Sequence, residues 1–309
     1  MLIQHPHFEK KRAVLTYKVI AKSERYMLLE INLETGRLLH YHFIKLTFVR
    51  LRIRNNYNNM NSSDSIVIIP TYNEKENIEN IIRAVLGLDI NVNILIIDDG
   101  SPDGTADIVK RLQKEEFAER LFIVERSGKL GLGTAYITGF KWAIEHKYDY
   151  IFEMDADFSH DPKDLPRLLK ACREDGYDVA IGSRYISGVN VVNWPMGRVI
   201  MSYYASKYVQ LVTGVKIKDT TAGFKCYRRQ VLETIELDKI RFKGYAFQIE
   251  MKFTAYKCGF KIKEVPVIFV NRELGTSKMS GGIFSEALFG VIRLKVSSWF
   301  RKYPQKQIS

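Results

Sequence analysis

The sequence predicts an α/β protein with a mostly parallel central sheet and helices on both faces. From residue 65 to residue 182, short apolar runs alternate with segments whose apolar residues recur at i, i+3 and i+4. The runs are typical of strands buried on both faces, and the recurring spacing is typical of amphipathic helices. Polar clusters follow three of the runs, at the edge where such a sheet binds its ligands.

Strands and helices follow one another in βα order. Strands are predicted at residues 66–69, 94–97, 121–124, 150–154 and 179–182. Helices are predicted between them, around residues 78–86, 108–112 and 136–144. A further helix begins at Asp161-Pro162, because Asp is a favoured N-cap residue and Pro fits the first helical position. This order predicts one α/β domain over residues 64–280.

Residues 1–63 have a different composition and are predicted to be an N-terminal extension and linker. The first 60 residues carry 11 Lys or Arg and 4 Asp or Glu, a net +7 of the chain's formal +12. Two strands are expected, at residues 13–21 and 26–34, and a turn at Thr35-Gly36-Arg37. A basic excess favours anionic partners such as nucleic acid, phospholipid head groups or phosphorylated substrates, or serves solubility alone.

Cysteine usage and hydropathy restrict the class of protein. Cys172, Cys226 and Cys258 are odd in number and widely spaced, which argues against a disulfide framework or a zinc site and fits a reducing compartment. We expect no signal peptide, because charged residues and histidines interrupt the first residues. We also expect no membrane span, because no stretch approaches about 18 consecutive apolar residues.

Asp155 and Asp157 are the strongest candidates for a metal site. They stand one residue apart at the end of an apolar run, and on a strand this spacing sends both carboxylates to the same side. Two like charges at such a short distance repel each other. A hard divalent cation, which prefers oxygen ligands, would neutralise the two carboxylates. A pair of solvated turn carboxylates is the alternative, because the Asp-x-Asp pattern is short.

Further candidate residues for ligand binding follow the first three strands. Residues 70–74 contain Tyr72 and Glu74, which suit a nucleotide base and ribose, although Thr71 or Asn73 could simply cap the next helix. Asp99 could bond a ribose or a base edge, whereas Asp-Gly is also common in turns. The glycine-rich residues 128–133 are not a Walker P-loop and follow the third strand, so we reject a dinucleotide fingerprint.

Five motifs in this order and spacing resemble a family-2 glycosyltransferase of GT-A fold: IVIIPTYNEKENI, ILIIDDGSPDGT, RSGKLGLGTAYITGF, FEMDADFSHDP and IGSRY. Within that family they are similar to the polyprenol-phosphate (dolichol-phosphate) mannosyltransferases. The resemblance covers about residues 64–280 and includes the later segments 219–225, 244–250 and 271–279. It implies an enzyme that transfers mannose from GDP-mannose to a polyprenyl phosphate.

The resemblance also implies roles for individual residues. Asp155 and Asp157 would bind Mg²⁺ or Mn²⁺, which offsets the charge that builds on the leaving nucleoside diphosphate. Ser159, where many relatives have Gln, would be a third ligand, directly or through water. Residues expected to contact the nucleoside are Pro70, Tyr72, Glu74 and Asp99, and those expected to line the diphosphate region are Lys129 and Gly131.

The implied acceptor is a lipid monophosphate, which is largely dianionic at pH 7 because its second pKa is about 6. It needs no strong general base, but it needs cations that hold it in line with the sugar carbon. Arg184 and Lys278 are the preferred cations, ahead of Arg198, Lys225 and Arg272; Asp157, Arg184 and Lys278 are the predicted catalytic residues. A single displacement implies inversion at the sugar carbon.

The tail, residues 281–309, is predicted to be a basic amphipathic helix. Phe284, Leu288, Val291, Ile292 and Lys295 fall on one helical side. One interpretation places this helix at a membrane interface, with basic residues on head groups and Trp299 at the boundary. The other packs it on the domain core. With a lipid acceptor, we expect a cytoplasmic protein in peripheral contact with the cytoplasmic face of a membrane.

The N-terminal segment resembles a different family. Residues 13–37 are similar to the closing segment of RluA-type RNA pseudouridine synthases, but the similarity breaks at residues 38–43. That family's catalytic motif is absent from this region, so we predict a non-catalytic extension, with Met60 near the natural start of the transferase. Two alternatives stay open: another donor such as UDP-glucose, or an RNA-binding protein with a degenerate transferase fold, although no nucleic-acid partner is expected.

Overall fold

The structure, a computed structural model, describes side chains for residues 63–244, 246–271 and 288–306, and backbone also for residues 15–22, 26–33, 42–45 and 282–287. Residues Met1–Ser62 and Ser63–Ser309 form two compact units. Among the sites predicted from the sequence, Arg272, Lys278, Met60 and the turn at residues 35–37 lie outside the described residues.

The first unit contains a three-stranded antiparallel sheet. Its strands are β1 (Leu15–Lys22), β2 (Tyr26–Leu33) and β3 (His42–Lys45), in the order β1-β2-β3. β1 and β2 are the two strands that the sequence predicts. β3 was not predicted, because a run of four residues with two polar members carries little strand signal of its own.

The second unit is built on a seven-stranded, mostly parallel sheet. Its strands are β4 (Ser65–Thr71), β5 (Asn93–Asp98), β6 (Leu121–Glu125), β7 (Tyr150–Glu153), β8 (Val179–Ser183), β10 (Lys225–Arg228) and β11 (Ile262–Pro266). The strand order is β11-β8-β10-β7-β4-β5-β6. β10 runs antiparallel to β7 and β8, and the other pairings are parallel. The predicted α/β fold with a mostly parallel sheet is confirmed. β9 (Val191–Val192) and β12 (Phe269–Val270) form a small separate parallel pair.

The helices that the sequence predicts between residues 78 and 173 and in the tail are present, whereas the helices between residues 196 and 257 were not predicted. Together the helices connect the strands. They are α1 (Ile78–Leu86), α2 (Thr105–Glu115), α3 (Leu132–Glu145), α4 (Leu165–Arg173), α5 (Met196–Thr213), α6 (Arg229–Thr234), α7 (Ala246–Lys257) and α8 (Gly282–Phe300). A short 3₁₀ turn, Pro162–Asp164, precedes α4, and the Asp161 side chain accepts the Lys163 N–H at 2.9 Å, as expected of an N-cap. The alternative that Thr71 or Asn73 caps α1 is wrong, since α1 begins at Ile78.

Two hydrophobic cores cover the two faces of the sheet. Along β4, Ile66 and Ile68 belong to one core and Val67 and Ile69 to the other, and all four are fully buried. Alternate residues of a strand point to opposite faces, so a continuous apolar run is what a sheet covered on both sides requires. This packing leaves the strand ends as the edge where polar side chains gather.

The C-terminal helix α8 packs on the core along one side and is exposed along another, so the core interpretation holds for part of the helix and the membrane interpretation stays a prediction. Val291 and Leu294 are buried in the core, whereas Phe289 is 70% and Trp299 68% exposed. Ile292, predicted on the same side as Val291, is instead on the exposed side, because adjacent helical residues lie about 100° apart. Among the residues that the structure describes, no helix is long and apolar enough to cross a membrane.

Candidate active site

The candidate active site lies at the carboxyl edge of the seven-stranded sheet. Strands β4 to β8 all run in one direction. β5 and β7 pair in parallel with β4, β6 pairs in parallel with β5, and β7 and β8 both run antiparallel to β10. The carboxyl ends of these five strands therefore meet at this edge. Antiparallel β10 brings its first residue, Lys225, to the same edge, opposite Glu153 and Ile181. Parallel sheets bind ligands at this place, and the predicted polar clusters all follow these strands.

Asp155 and Asp157 lie in a turn beyond β7. The strand ends at Glu153, so their proximity does not come from strand alternation, as the sequence suggested, but from the turn itself. Asp157 is nearly buried, and its Oδ1 accepts the Ser159 N–H at 3.0 Å and the Ser159 hydroxyl at 2.6 Å. Phe158, which lies between Asp157 and Ser159, has a left-handed backbone with φ of 58°. The side chain of Asp155 is 39% exposed.

His160 holds the start of this turn. Its ring is buried, stacks on Phe224 with a centroid distance of 4.9 Å, and accepts the Asp155 N–H at its Nδ1 at 3.1 Å. Burial lowers the pKa of His160 to about 4, outweighing the nearby charge of Asp157. The ring is therefore neutral at pH 7, which is the state in which Nδ1 can accept a hydrogen bond.

The residues of the turn fit a hard divalent cation. Asp155 and Asp157 supply carboxylate oxygens, and Mg²⁺ is commonly bound by one or two carboxylates with waters and substrate phosphates as its other ligands. No group of three or more His, Cys, Asp or Glu side chains suited to a metal occurs among the described residues. The Ser159 hydroxyl is directed to Asp157, so in this arrangement it orients a carboxylate.

Asp98 organises the loops after β4 and β5. Its carboxylate is buried and accepts hydrogen bonds from the Thr71 hydroxyl at 2.8 Å and from the Ser101 N–H at 2.8 Å. The Ser101 Oγ in turn accepts the Asn73 N–H at 3.0 Å. Gly100 has φ of +68°, which a side chain would disfavour. The turn expected from the sequence is therefore present at residues 98–101, and the Asp98 carboxylate stabilises it by accepting the Ser101 N–H.

Asp99 faces a different partner, Arg126, which follows β6. The closest contact joins Arg126 Nη2 to Asp99 Oδ1 at 2.6 Å, and both side chains are largely buried. Burial raises the pKa of Asp99, although the hydrogen bonds and charge of Arg126 oppose the shift. Arg126 also donates to the Thr134 hydroxyl at 2.9 Å, and this hydroxyl donates to the Gly131 carbonyl at 2.7 Å.

The remaining residues predicted to bind a nucleotide lie in the same loops. Lys129 is exposed and its Nζ lies 5.2 Å from the centre of the half-buried Tyr72 ring. Pro70 pairs with Ile97 inside β4, and Glu74 accepts the Asn77 side-chain amide at 3.1 Å. The glycine-rich loop at residues 128–133 thus meets the loop after β4.

Gly131 allows the glycine-rich loop to approach a distant segment closely. It has φ of +104°, and a Cβ there would lie 3.1 Å from the Lys243 carbonyl oxygen. The Gly133 N–H donates to the same carbonyl at 2.8 Å. The loop is therefore fixed to the segment that precedes α7 as well as to Arg126.

Arg184, a predicted catalytic residue, is buried at the end of β8. Its Nε and Nη2 bond the two carboxylate oxygens of Asp219 at 2.7 and 2.6 Å, and Nη2 also donates to the Thr221 hydroxyl at 2.7 Å. Burial opposes ionisation of Asp219, but the charge and hydrogen bonds of Arg184 prevail and hold its pKa below the usual range. A substrate phosphate that reached Arg184 would compete with Asp219.

A second buried ion pair joins β7 to β10. Lys225 Nζ lies 3.0 Å from Glu153 Oε2, and neither side chain is exposed. Gln248 and Tyr227 donate to the two Glu153 oxygens at 2.8 and 3.0 Å. Lys225 is therefore engaged by Glu153 in this structure, as Arg184 is by Asp219, and its role as a candidate cation for the phosphate stays a prediction. Nearby, Lys252 donates to the carbonyls of Thr220 and Ala222 at 2.9 and 2.6 Å.

Several residues of this edge were missed at the sequence level. His160, five residues after Asp155, and Arg126, at the head of the glycine-rich motif, carry a local signal that could have indicated them. The partners Glu153, Gln248 and Asp219 carry none, because their pairing depends on which strands become neighbours. Lys278 and Arg272 lie outside the described residues, so their predicted roles stay predictions.

A mostly parallel sheet with a carboxylate pair and polar loops at its carboxyl edge is the arrangement of a glycosyltransferase of GT-A fold. The comparisons with known proteins agree. Residues 66–236 match the family described as glycosyl transferase family 2. The chain belongs to glycosyltransferase family 2, and it resembles the polyprenol-phosphate mannose synthases within it. It is therefore an enzyme, as the sequence predicts.

Two curated relatives are similar over most of their length. A polyprenol monophosphomannose synthase of Mycolicibacterium smegmatis is 46% identical over 235 residues, 76% of this chain and 86% of that protein. An undecaprenyl-phosphate mannosyltransferase of Micrococcus luteus is 45% identical over 228 residues, 74% of this chain and 92% of that protein.

Solved structures with low sequence identity share the fold. A mannosyltransferase from Pyrobaculum calidifontis, solved in complex with GDP-Man and Mn²⁺, superposes on this chain with a TM-score of 0.51 at 17% sequence identity. The match covers 83% of this chain and 73% of the Pyrobaculum chain. A mycobacterial protein has a TM-score of 0.55 at 18% identity, with coverages of 84% and 80%.

Proposed function

We propose that this enzyme transfers mannose from GDP-mannose to a polyprenyl phosphate, in the manner of a dolichyl-phosphate β-D-mannosyltransferase. The observation that carries the proposal is the identity of 46% and 45% to two proteins named for mannosyl transfer to polyprenol phosphates. The fold accommodates the proposed donor, since a mannosyltransferase of the same fold binds GDP-Man and Mn²⁺.

The donor would lie across the loops after β4, β5 and β6. Tyr72 offers an aromatic face for the base, and Glu74 and Asp99 offer carboxylates for hydroxyl or base N–H groups; Pro70 shapes the same wall. Lys129 is exposed near Tyr72 and would meet the diphosphate beside Gly131. In this role Arg126 fixes the Asp99 carboxylate and, through Thr134, the glycine-rich loop.

Asp155 and Asp157 would hold Mg²⁺ or Mn²⁺. Such an ion offsets the negative charge that develops on the leaving nucleoside diphosphate. His160 and Ser159 fix the backbone and the carboxylate of this turn through the Asp155 N–H and Asp157 Oδ1. We propose that Ser159 acts mainly through Asp157, although the sequence suggested it as a third ligand.

The chemical step would be a single displacement. An oxygen of the lipid phosphate attacks the anomeric carbon, the bond from that carbon to the diphosphate oxygen breaks, and GDP leaves, so the configuration inverts. The phosphate is already deprotonated at neutral pH, so the protein must orient it and need not remove a proton. Arg184 and Lys278 are proposed to orient it, and retention observed by NMR of the product would contradict this path.

The acceptor lipid requires contact with a membrane, and two adjacent helices offer a surface for it. We call Phe289, Ile292, Val296 and Trp299 of α8 the apolar stripe; their spacing places them on one face, and all are exposed. On α5, Met196, Ile200 and Tyr204 are exposed at intervals of four residues. Tyr208 of α5 donates to the Leu288 carbonyl of α8 at 2.8 Å, so the two helices are neighbours.

Exposed apolar side chains at this density favour an interfacial surface that lies on a membrane. We propose peripheral contact through α5 and α8. The three cysteines are buried free thiols, which fits a reducing compartment, and we therefore assign this contact to the cytoplasmic face.

The test combines a donor panel with metal binding. Transfer to undecaprenyl phosphate is measured with GDP-mannose, UDP-glucose and other sugar nucleotides, with and without EDTA. We expect product with GDP-mannose only, and none with EDTA. Product with UDP-glucose and none with GDP-mannose would overturn the donor assignment, and full activity in EDTA would overturn metal dependence.

Binding of Mn²⁺, followed by electron paramagnetic resonance in the presence of GDP, tests the metal site without relying on turnover. Asp155→Asn and Asp157→Asn are expected to weaken binding strongly, and Ser159→Ala about tenfold, as for other residues that orient a ligand. Asp107→Asn, an exposed carboxylate on α2, is the matched control. Unchanged Mn²⁺ affinity in both Asp155→Asn and Asp157→Asn would refute the site.

A further inference from the structure

A cavity lies between the segment before α7 and the last turns of α8. Its volume is about 740 Å³. Its cationic lining includes Arg241, Arg293 and Arg301, and Phe242, Leu294 and Phe300 supply apolar walls. None of the described residues assigned above to donor, metal or acceptor lines it.

Two of these arginines have no direct side-chain partner among the described residues, although the charge of Glu250 acts on Arg241 from nearby. Within the part of the chain that the structure describes, the side chains of Arg241 and Arg293 make no hydrogen bond or ion pair. Arg301 makes one long ion pair, from its Nη2 to Glu236 Oε2 at 3.9 Å, and its Nε atom is buried without a hydrogen-bond partner. Unpaired cations next to a cavity lower the energy of an anion that enters it.

The other charged groups of the lining are already engaged. Lys239 pairs with Glu236 at 2.5 Å, and Asp238 pairs with Lys141. Glu250 accepts the N–H groups of Arg241 and Phe242 at 2.9 and 3.0 Å; burial raises its pKa, and the charges of Arg301 and Arg241 oppose this shift. The lining thus has four cationic and two carboxylate side chains. The charge offered to a ligand is therefore positive.

The position of the cavity indicates the kind of anion. Arg293 and Ser297 lie four residues apart on one side of α8, and Arg301 follows its end at the same interval; this side adjoins the apolar stripe at 289, 292, 296 and 299. Phe300 lines the cavity and is also 84% exposed, so it stands at the mouth. An anion with an attached apolar chain would place its charge among the arginines and its chain along the stripe.

We propose that this cavity binds the phosphoryl head group of an anionic membrane phospholipid, distinct from the acceptor lipid at the carboxyl edge. The inference rests on the membrane contact of the proposed function. Arginine suits phosphate because its planar group offers several donors in a fixed geometry. The bound lipid would fix α8 on an anionic leaflet.

Flotation of the full chain with vesicles tests the proposal. One set of vesicles contains phosphatidylcholine alone, and the other contains phosphatidylglycerol as well. The double variant Arg241→Gln, Arg293→Gln is expected to bind the anionic vesicles at least about tenfold more weakly, since each cation near such a surface contributes several-fold. Its binding to phosphatidylcholine should stay within twofold of wild type.

Two controls separate the cavity from net charge and from the apolar stripe. Lys114→Gln, Lys170→Gln removes two exposed cations from α2 and α4 and should bind both vesicles like wild type. Trp299→Ser should weaken binding to both vesicles. If the arginine variant loses no more than the lysine variant while Trp299→Ser loses binding, the cavity assignment is overturned and the membrane contact stands; if wild type binds neither vesicle, both are overturned.

Calorimetry with inorganic phosphate distinguishes a lipid from a soluble ligand. We expect inorganic phosphate to bind wild type far more weakly than the anionic vesicles do, because the apolar part of the ligand is missing. Binding of inorganic phosphate as tight as that of the vesicles, and lost in the arginine variant, would overturn the lipid assignment.

Discussion

The two halves of the carboxyl edge use charge differently. In the β4–β6 half, Lys129 and Tyr72 are at least partly exposed, and the Asp99–Arg126 pair lies just beneath them. In the β7–β8 half, the pairs Glu153–Lys225 and Arg184–Asp219 are almost wholly buried. The first half presents polar groups to a ligand, whereas the second uses most of its charges to join strands and loops.

The difference has an energetic basis. A buried ion pair gives little net stability compared with an apolar pair, but removal of one partner leaves an uncompensated charge in a medium that solvates it poorly. The exposed Asp155 is the exception in the β7–β8 half, as expected of a group that meets a metal and a diphosphate. Substitutions in the two halves should therefore have different consequences.

The largest effect is expected at Glu153. Glu153→Leu leaves Lys225 buried without its partner and should lower the free energy of unfolding by about 3–5 kcal/mol, measured by urea denaturation. Glu153→Leu, Lys225→Met should recover part of this loss, because no charge is then left unpaired. A double variant whose loss equals the sum of the two single losses would show that the side chains are not coupled.

A smaller effect, about 3 kcal/mol at pH 7, is expected for Asp219→Asn, because Arg184 keeps Thr221 and the amide oxygen as partners. The folded-state pKa of Asp219 is depressed, so its contribution is fully present above the unfolded pKa of about 3.9 and is lost as pH falls through the folded value. The difference between wild type and variant should shrink below pH 4. A constant difference from pH 7 to pH 3 would contradict this pairing.

The smallest effect on stability, about 1–2 kcal/mol, is expected for Arg126→Gln in the β4–β6 half. Burial already raises the pKa of Asp99, so this carboxyl can take up a proton when its partner is removed. The larger change should be in donor binding, with KM for GDP-mannose raised about tenfold and kcat changed less. Lys110→Gln, which removes an exposed pair with Glu125, is the control.

The fold was largely predictable from the sequence because its signal is local. The fully buried strand β4 and the apolar face of α1 appear directly as a continuous run and as the spacing of Ile78, Ile81 and Ile82. The antiparallel direction of β10 has no such signal, because four residues do not show which way a strand runs. The exposed face of α8 was misplaced because Val291 and Ile292 are equally apolar neighbours.

The sequence indicated which residues could bind a ligand at the candidate site, but it did not indicate the contacts that hold those residues in place. Asp155, Asp157, Tyr72 and Lys129 stand directly after strands, and the order of strands brings them to one edge. The contact of Arg126 with Asp99 joins residues 27 positions apart, and the left-handed backbone at Phe158 follows from packing around the turn. Such features depend on the assembled sheet, which no single motif specifies.

Gly290, in the middle of α8, has a consequence for mutations far from the catalytic edge. A Cβ at this position would lie 2.7 Å from Cε1 of Phe242, and the next residue, Lys243, accepts the Gly133 N–H. A side chain at position 290 therefore requires the Phe242 ring to shift, next to the residue that anchors the glycine-rich loop. If the glycine-rich loop holds the donor as proposed, the exchange of Gly290 for another small residue would disturb substrate binding from a helix that carries no substrate contact of its own in this proposal.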